Sequence, residues 1–307
     1  MSDPSIAERF QELLQNLPKP SSIQEFREAQ KPFAPLFNED PPAVGKVLEG
    51  VRFRRVAGLE LHTDLLIPEG KGPHPILLFL HGGGWVMGKP ANMRKLGLRF
   101  VEQGFLVVIP DYRLAPEHPF PAAYEDCRQC LRWAYENALG FGGDPSRICI
   151  GGDSAGANLA AAIATAEPLP SGLSLAASLL LYGTYDLRSL DKRMQEMGGV
   201  FTNPELLRMM ADAYAGGRAT EPWAKDPRVS PLPKAHLLPP SLVVCGSMDP
   251  FLSQSEELFQ VLSERSRGDR FLLAPGMPHA FAQMEFLPGV PELLREMGGF
   301  LSKALNV

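Results

Sequence analysis

Short, unbroken apolar runs alternate with longer stretches of helical periodicity from about residue 75 to the C-terminus. Runs of this length are typical of strands buried on both faces of a parallel sheet, and the periodic stretches are typical of helices that cover it. The pattern therefore predicts a doubly wound α/β architecture. The predicted strands are 76–80, 105–109, 148–150, 175–182, 242–245 and 271–273. The predicted helices lie near 91–103, 120–138, 155–166, 252–264 and 289–304.

Two further apolar segments precede this alternation, at residues 47–56 and 59–67. The short connection through Ala57 and Gly58 predicts a hairpin, which adds two antiparallel strands to one edge of the sheet. The sequence thus predicts eight strands in a mostly parallel sheet.

Two regions fall outside the alternation and are predicted to be helical. The first covers residues 1 to about 40 and contains amphipathic spacing followed by a capping-box pattern at Ser22 and Glu25. The second covers about 185–225, where Leu206 and Met210 share one apolar face after a helix-start pattern at 202–205.

Together these regions predict a small helical cap, formed by about 1–45 and about 185–225, on a single domain of residues 1–307. The alternative is that these helices only cover core that would otherwise be exposed to solvent. An apolar helix face indicates that the helix packs against other elements but does not indicate a pocket beneath it.

Composition narrows the possible partners and the cellular location. The 307 residues are 45% hydrophobic, which is ample for a large core, and the net charge of -5 with no long basic run argues against a nucleic acid or an anionic membrane as partner. No apolar stretch approaches the ~20 residues of a membrane span, and the N-terminus lacks the pattern of a signal peptide. A cytoplasmic protein is expected. An exposed edge strand or terminal helix would allow a homodimer.

The four cysteines imply neither a disulfide framework nor a metal site. Cys149 and Cys245 lie in predicted strands, while Cys127 and Cys130 form a C-x-x-C within a predicted helix. No second Cys or His pair follows at zinc-ligand spacing, so we expect no metal.

The segment GDSAG at residues 152–156 follows an apolar strand and opens a helix rich in small residues. This is the setting of a nucleophile elbow, in which a sharp strand-to-helix turn holds Ser154 where a base can take its proton. The flanking glycines let neighbouring backbone pass close to the turn. A serine in an ordinary glycine turn gives the same five letters by chance, so this motif alone does not decide the matter.

A second motif, HGGGW at residues 81–85, favours the elbow. Its three glycines follow the strand 76–80 and can expose bare amides. Acyl transfer through a serine forms an oxyanion, which needs donors from such a loop and from the residue after the nucleophile, Ala155. A phosphate loop would require differently spaced glycines.

The base and its orienting acid should lie at the carboxyl ends of later strands. Of six histidines, His279 alone follows such a strand near the C-terminus, as the order serine, acid, histidine requires. Asp249 directly follows the strand 242–245 and is the better-placed acid, while Asp186, after the preceding strand, remains its rival.

With these residues placed, the chain resembles the hormone-sensitive-lipase-like family of α/β-hydrolase esterases over most of its length. The resemblance rests on HGGGW at 81–85, DYRLAPEHPFPA at 111–122, GDSAG at 152–156, Asp249-Pro250 and HAF at 279–281. The chain departs from the family pattern at Gly183, Ser253 and Ala280, none of which removes a catalytic group.

The resemblance implies an α/β-hydrolase fold with a helical cap, and a catalytic triad of Ser154, Asp249 and His279. It also implies an oxyanion hole formed by the amides of Gly83, Gly84 and Ala155. Asp111, Tyr112 and Arg113 would brace the glycine loop. The expected walls of the substrate pocket are Trp85, Leu206, Met210 and Phe281.

The implied activity is a serine carboxylesterase acting on small-molecule esters of short to medium chain length, without a cofactor. The alternatives are a lactone, amide or carbamate hydrolase and a non-catalytic small-molecule-binding relative of the same fold. The presence of His279 disfavours the binding protein, because such relatives commonly lack a member of the triad.

Overall fold

A computed structural model describes residues 4–188 and 204–306 and contains one eight-stranded sheet. The spatial order of its strands is β1-β2-β4-β3-β5-β6-β7-β8. The pairs β1/β2 and β2/β4 are antiparallel and all other pairs are parallel. The strands are β1 (Lys46–Val56), β2 (Leu59–Ile67), β3 (His74–Leu80), β4 (Leu106–Pro110), β5 (Gly143–Asp153), β6 (Leu175–Leu181), β7 (Ser241–Gly246) and β8 (Arg270–Ala274). The predicted eight-stranded, mostly parallel sheet with its edge hairpin is confirmed.

The helices of the alternation occupy the predicted places and differ from the predicted bounds by only a few residues. They are α4 (Arg94–Val101), α5 (Ala122–Asn137), α6 (Ala155–Thr165), α9 (Leu252–Ser263) and α10 (Val290–Ala304). A 3-10 turn at Pro90–Met93 replaces the first turn of the helix predicted near 91–103.

The core consists of two layers, one on each face of the sheet. Along β3, Ile76 and Leu78 belong to the larger layer and Leu77 and Phe79 to the smaller one, because successive side chains of a strand point to opposite faces. Helices α5, α6 and α9 cover the larger layer, and α4 with α10 cover the smaller one. All residues of β3 after His74 are buried, which explains why the strand reads as an unbroken apolar run.

Three helices form the N-terminal segment: α1 (Ile6–Gln15), α2 (Ile23–Gln30) and α3 (Phe33–Phe37). At α2 only half of the predicted capping box is present. The Glu25 amide donates to Ser22 Oγ, but the Glu25 carboxylate accepts from Ser21 rather than from the backbone of Ser22. A complete capping box exists at α1 between Ser5 and Glu8.

In the second region predicted as cap, helices α7 (Pro204–Ala215) and α8 (Glu221–Ala224) lie off the sheet. Residues 202 and 203 of the predicted helix start lie outside the described residues. The ring of Tyr214 stacks on Trp85 with centroids 4.6 Å apart, which joins α7 to the loop after β3. That the two helical regions cover a substrate pocket stays a prediction.

All four cysteines are buried and free. None of the helices within residues 4–188 and 204–306 combines the length and apolarity that a membrane crossing requires.

A buried carboxylate joins three elements on the larger layer. Asp126 of α5 is fully buried and forms ion pairs with Arg54 of β1 and with Arg113, which follows β4. Arg113 also donates its amide to the same carboxylate at 3.1 Å. Removing one partner of a buried ion pair leaves uncompensated charge in a poorly solvated place.

We therefore expect Asp126→Ala to lower the free energy of unfolding by about 3–5 kcal/mol, because it removes the buried carboxylate between two guanidinium groups. The half-exposed Glu125 carboxylate, 3.8 Å from Arg54 and 3.9 Å from Arg113, is then their remaining ion-pair partner among the described residues. The control is Glu136→Ala, which breaks the exposed pair with Arg132 and should change stability by less than about 0.5 kcal/mol. Urea denaturation of the three proteins measures both values, and equal midpoints for the two variants would contradict the expectation.

Candidate active site

Ser154 lies at the sharp turn between β5 and α6. Its backbone has φ 53° and ψ -118°, a conformation that residues other than glycine rarely adopt. The turn is held by a hydrogen bond from the Ser154 amide to the Leu181 carbonyl, 2.9 Å, at the end of β6. The strain is thus supported by the neighbouring strand, and Ser154 is the most accessible residue of the motif at 152–156.

The two glycines of the motif are required by close backbone contacts. A Cβ at Gly156 would lie 1.9 Å from the Leu80 carbonyl oxygen, and one at Gly152 would lie 2.5 Å from the same oxygen. Any side chain at either position would push α6 away from the end of β3. The close approach places the start of α6 next to the loop that follows β3.

Three side chains from three strand ends form a hydrogen-bonded series. His279 Nε2 lies 3.0 Å from Ser154 Oγ, and His279 Nδ1 lies 2.8 Å from Asp249 Oδ2. The other carboxylate oxygen of Asp249 accepts the Phe251 amide at 2.8 Å, which fixes its orientation. An ionised carboxylate can only accept, so Nδ1 of His279 donates to Asp249 and Nε2 of the neutral ring accepts from the Ser154 hydroxyl.

The surroundings of His279 act on its pKa in opposite directions. Burial disfavours the imidazolium, but the charge and hydrogen bond of Asp249, together with the charge of Asp153, outweigh burial. The pKa of His279 is therefore raised above its ordinary value.

The glycine loop after β3 presents unused amides next to this series. Gly83 and Gly84 have φ values of 119° and 60°, in the region that favours glycine. Among the described residues, neither amide donates a hydrogen bond to protein. Ala155 is the first residue of α6, where the amide has no partner within the helix. These three amides are the donors predicted for the oxyanion.

Of the residues expected to brace the glycine loop, Tyr112 is the one that contacts it. Its hydroxyl donates to the His81 carbonyl at 2.7 Å, and its ring stacks on the His81 imidazole. Burial lowers the pKa of His81 to about 4, so this histidine is neutral at physiological pH. Arg113 instead reaches Asp126 of α5, and the Asp111 amide donates to His62 of β2.

Asp153 joins the glycine loop to the nucleophile turn. Its Oδ1 accepts the Gly82 amide at 2.7 Å, and Gln283 Nε2 approaches its Oδ2 at 3.4 Å. Burial raises the pKa of Asp153 to about 6, although the Gly82 amide and the charge of His279 both favour its ionised form. Two carboxylates, of Asp249 and Asp153, therefore act on one imidazole.

Two aromatic rings hold the His279 ring from its sides. The Tyr182 and Phe251 rings pack edge-on against it, with centroids 5.1 and 5.2 Å away. Ala280, directly after His279, has φ 63°, a left-handed conformation that turns the chain sharply.

The residues predicted as pocket walls occupy two different places. Trp85, Leu206 and Met210 belong to the larger core layer, as does Ala155. Met210 of α7 lies against the glycine loop, since a Cβ at Gly84 would meet its sulfur at 2.3 Å. Phe281 is fully buried in the smaller layer and packs edge-on against Tyr182. That position is typical of a core residue.

The rival acid lies elsewhere. The carboxylate of Asp186 accepts two hydrogen bonds from the guanidinium of Arg188, at 2.7 and 2.8 Å. The geometry thus favours Asp249 as the partner of His279.

Several residues that contact the site are not among the predicted site residues, and they include Asp153, Tyr182 and Phe251. Asp153 directly precedes Ser154 in the chain and Phe251 lies two residues after Asp249, and this proximity in sequence is the signal that could have indicated them. Tyr182 was placed at the end of a predicted strand, and its contact with His279 depends on the packing of β6 beside β7.

The chain is similar to known hydrolases and esterases both in sequence and in structure. Residues 77–283, more than half of the chain, match the model of a family described as alpha/beta hydrolase fold. The chain is 32% identical to the carboxylic ester hydrolase LipN of Mycobacterium tuberculosis, over 77% of this chain and 66% of LipN. The matched part therefore spans just under two thirds of that relative.

Solved structures resemble the chain over nearly its whole length. An esterase from Pyrobaculum calidifontis has a TM-score of 0.85 and 26% identity, covering 97% of this chain and 99% of that protein. An esterase from the bacterial hormone-sensitive lipase family has a TM-score of 0.77 and 27% identity, covering 99% of this chain and 100% of that one.

We expect a direct titration to show the effect of Asp249 on His279. In the native protein the imidazole pKa of His279 should lie above 6.5, and Asp249→Asn should bring it below that value, because burial then outweighs the remaining charge of Asp153. Long-range proton–nitrogen NMR spectra recorded from pH 4 to 9 measure both values.

His81 serves as an internal control, since its pKa near 4 is set by burial and should not change in the variant. A His279 pKa that is the same in both proteins would show that Asp249 does not govern its charge.

Proposed function

Because the chain belongs to the alpha/beta hydrolase fold family, we propose that it is a serine carboxylesterase. The observation that carries the proposal is the series from Asp249 through His279 to Ser154, with hydrogen-bond distances of 2.8 and 3.0 Å. The names of LipN and of the Pyrobaculum calidifontis esterase support carboxylic esters as the substrate class. The resemblance to hormone-sensitive-lipase-like esterases favours short- to medium-chain esters.

In the proposed reaction Ser154 Oγ attacks the ester carbonyl while His279 Nε2 takes the hydroxyl proton. The carbonyl oxygen becomes an oxyanion and accepts hydrogen bonds from the amides of Gly83, Gly84 and Ala155. Collapse of this intermediate breaks the bond to the alcohol, which leaves with the proton from His279. A water molecule then gives a proton to His279 and attacks the acyl-enzyme, releasing the acid and restoring Ser154.

Asp249 has an orienting role in this scheme. Its carboxylate holds His279 in the tautomer that accepts the serine proton and stabilises the imidazolium that follows. Every proton transfer uses side chains of this protein and water, so the proposed reaction requires neither a metal ion nor a cofactor.

The two off-sheet helical regions are proposed to cap the substrate pocket. Trp85, Leu206 and Met210 are the proposed walls, because Met210 and Trp85 join α7 to the glycine loop. Phe281 is left out of the proposed pocket, since its side chain is enclosed in the opposite core layer.

The same site supports cleavage of lactones, carbamates or activated amides, which pass through the same kind of oxyanion. A non-catalytic binding role is disfavoured, since the serine, histidine and aspartate are all present and hydrogen-bonded. The cytoplasmic location stays a prediction.

We expect Ser154→Ala to lower kcat by about a million-fold and Asp249→Asn by about ten-thousand-fold, because the first change removes the nucleophile and the second leaves the wrong tautomer of the base. Hydrolysis of p-nitrophenyl esters from acetate to palmitate measures both values. The chain-length series also reports the size of the acyl pocket, with a maximum expected at short or medium chains.

The matched control is Asp186→Asn, which alters the rival acid and should change kcat only a few-fold. Undiminished hydrolysis by folded Ser154→Ala protein would sink the mechanism. A folded native protein that turns over none of these esters would point to the binding role or to a narrow non-ester hydrolase.

We further propose that a second copy of the chain pairs along β8. This strand is one of the two edges of the sheet, and Leu273 on it is 43% exposed, while Met248 after the neighbouring strand β7 is 67% exposed. An unpaired edge strand with apolar side chains is a template for pairing, and a symmetric pair of copies would cover both edges at once.

Leu273→Glu should therefore convert a dimer to a monomer, because it replaces an apolar side chain on each of the paired strands by a carboxylate, and the like charges repel across the short pairing. Leu139→Glu is the control, since Leu139 is 66% exposed at Ala138–Phe141, on another part of the surface. Sedimentation velocity distinguishes the two states, and a monomeric native protein would refute the pairing.

A further inference from the structure

The glycine loop that presents the oxyanion donors has positive φ at four of its residues, and one of them is not glycine. Within residues 82–88, Gly83, Gly84, Trp85 and Gly88 all have positive φ, and Trp85 at 61° carries a bulky side chain. Such a conformation at a residue other than glycine is unfavourable and persists only where the surroundings hold it. What fixes this loop from outside therefore decides where the amides of Gly83 and Gly84 point.

Inside the loop, one carbonyl organises the turn. The amides of Val86 and Met87 both donate to the Gly83 carbonyl, at 3.1 and 3.0 Å. The orientation of the peptide after Gly83, whose amide belongs to Gly84, is thus tied to the position of Val86. A contact that fixes Val86 fixes the Gly84 amide with it.

Arg27 makes that contact from the N-terminal segment. Its Nε donates to the Val86 carbonyl at 2.7 Å, across 59 positions of sequence. One terminal nitrogen donates to the Ala115 carbonyl at 2.8 Å, and the two terminal nitrogens form a bidentate pair with Glu117 at 2.6 and 2.7 Å. The Ala115 amide in turn donates to the Trp85 carbonyl at 3.0 Å.

One planar guanidinium therefore connects the glycine loop and the proline-rich loop that follows β4. Only a fixed fork of donors reaches three separate acceptors in this way, and a lysine ammonium lacks that geometry. The hydrogen bonds of Arg27 hold the pKa of Glu117 at about 2, so the pair is charged at neutral pH. Two neighbours on the same helix, Ile23 and Phe26, belong to the core layer that contains Trp85 and Val86.

We propose that Arg27 is a positioning residue for the oxyanion hole. It acts through Val86 and the turn at Gly83 and contacts neither the substrate nor the reacting atoms. The inference rests on the proposed esterase function. It assigns to the N-terminal segment a part in the chemical step in addition to the proposed cap over the pocket.

The proposal makes a kinetic distinction. A residue that only holds a cap over the pocket affects substrate binding, so its loss raises KM. A residue that orients the amides of the oxyanion hole affects hydrogen bonds made in the transition state. Its loss therefore lowers kcat and leaves KM nearly unchanged.

The experiment compares Arg27→Ala, Arg27→Lys and a control, Arg9→Ala. Arg9 lies in the same N-terminal segment and forms an ion pair with Glu39, without a contact to the glycine loop. Three readouts are taken for each protein. They are kcat and KM for p-nitrophenyl butyrate, the inhibition constant of a trifluoromethyl ketone that forms a hemiketal oxyanion with the serine, and amide hydrogen exchange of the peptide 82–88.

For Arg27→Ala we expect kcat to fall about tenfold to a hundredfold, since the loss of a whole oxyanion donor costs about a hundredfold to a thousandfold. KM should stay within about twofold of the native value, because the contact is made in the transition state. The ketone inhibition constant should rise by the same factor by which kcat falls. Exchange should rise in 82–88 and stay unchanged in the peptide that carries His279. For Arg27→Lys, kcat and the ketone inhibition constant should lie between those of Arg27→Ala and those of the native protein. For Arg9→Ala, all three readouts should equal those of the native protein.

A raised KM with unchanged kcat and unchanged ketone affinity in Arg27→Ala would overturn the proposal and leave Arg27 as an anchor of the cap. Native values in both Arg27 variants would overturn it as well, as would exchange that rises evenly along the chain in both. If the native protein neither hydrolyses esters nor binds the ketone, the esterase function fails instead. Hydrogen exchange of 82–88 then still decides whether Arg27 orders the loop.

Discussion

The close approach of helix α6 to the end of strand β3 is the constraint on which the rest of the site depends. Gly156 brings the start of the helix against the Leu80 carbonyl, at a distance that excludes any side chain. Because β3 and β5 are paired neighbours, their carboxyl ends deliver the glycine loop and Ser154 to the same edge of the sheet. A single methyl group at Gly156 would separate the nucleophile from the donors that its chemistry requires.

The charges around His279 follow from the same crowding. Asp153 is drawn into the interior because the residue before the nucleophile must point back toward the glycine loop, where it accepts the Gly82 amide. The price of this burial is a carboxyl pKa of about 6, and its charge adds to that of Asp249 in favouring the imidazolium. The charges of two carboxylates thus act on the imidazole, and of these two it is Asp249 that is hydrogen-bonded to it.

Local patterns were sufficient to predict the sheet and the hydrogen-bonded series, but not the contacts that hold them in place. β3 is an unbroken apolar run because both its faces are buried. Ser154 and Asp249 come soon after the buried ends of β5 and β7, whereas His279 comes after the partly exposed edge strand β8. Arg27 and Val86 are 59 positions apart in the sequence, and no local pattern around either residue indicates that they form a hydrogen bond. Phe281 shows that proximity in the chain can also mislead. It lies two residues after His279 and was therefore predicted as a pocket wall, but its side chain packs in the smaller core layer.

The N-terminal segment joins the two halves of the site through two different kinds of contact. Arg27 fixes the glycine loop by directional hydrogen bonds, whereas Phe10 packs against Phe286, at 5.1 Å between centroids, on the chain that follows His279. Phe10 and Phe33 also share a small cluster with the fully buried Met284. Apolar packing is non-directional and tolerates rearrangement, while a guanidinium fork determines both position and angle. Substitutions among the phenylalanines should therefore act mainly on stability, and the chemical step should be most sensitive at Arg27, which donates to the glycine loop.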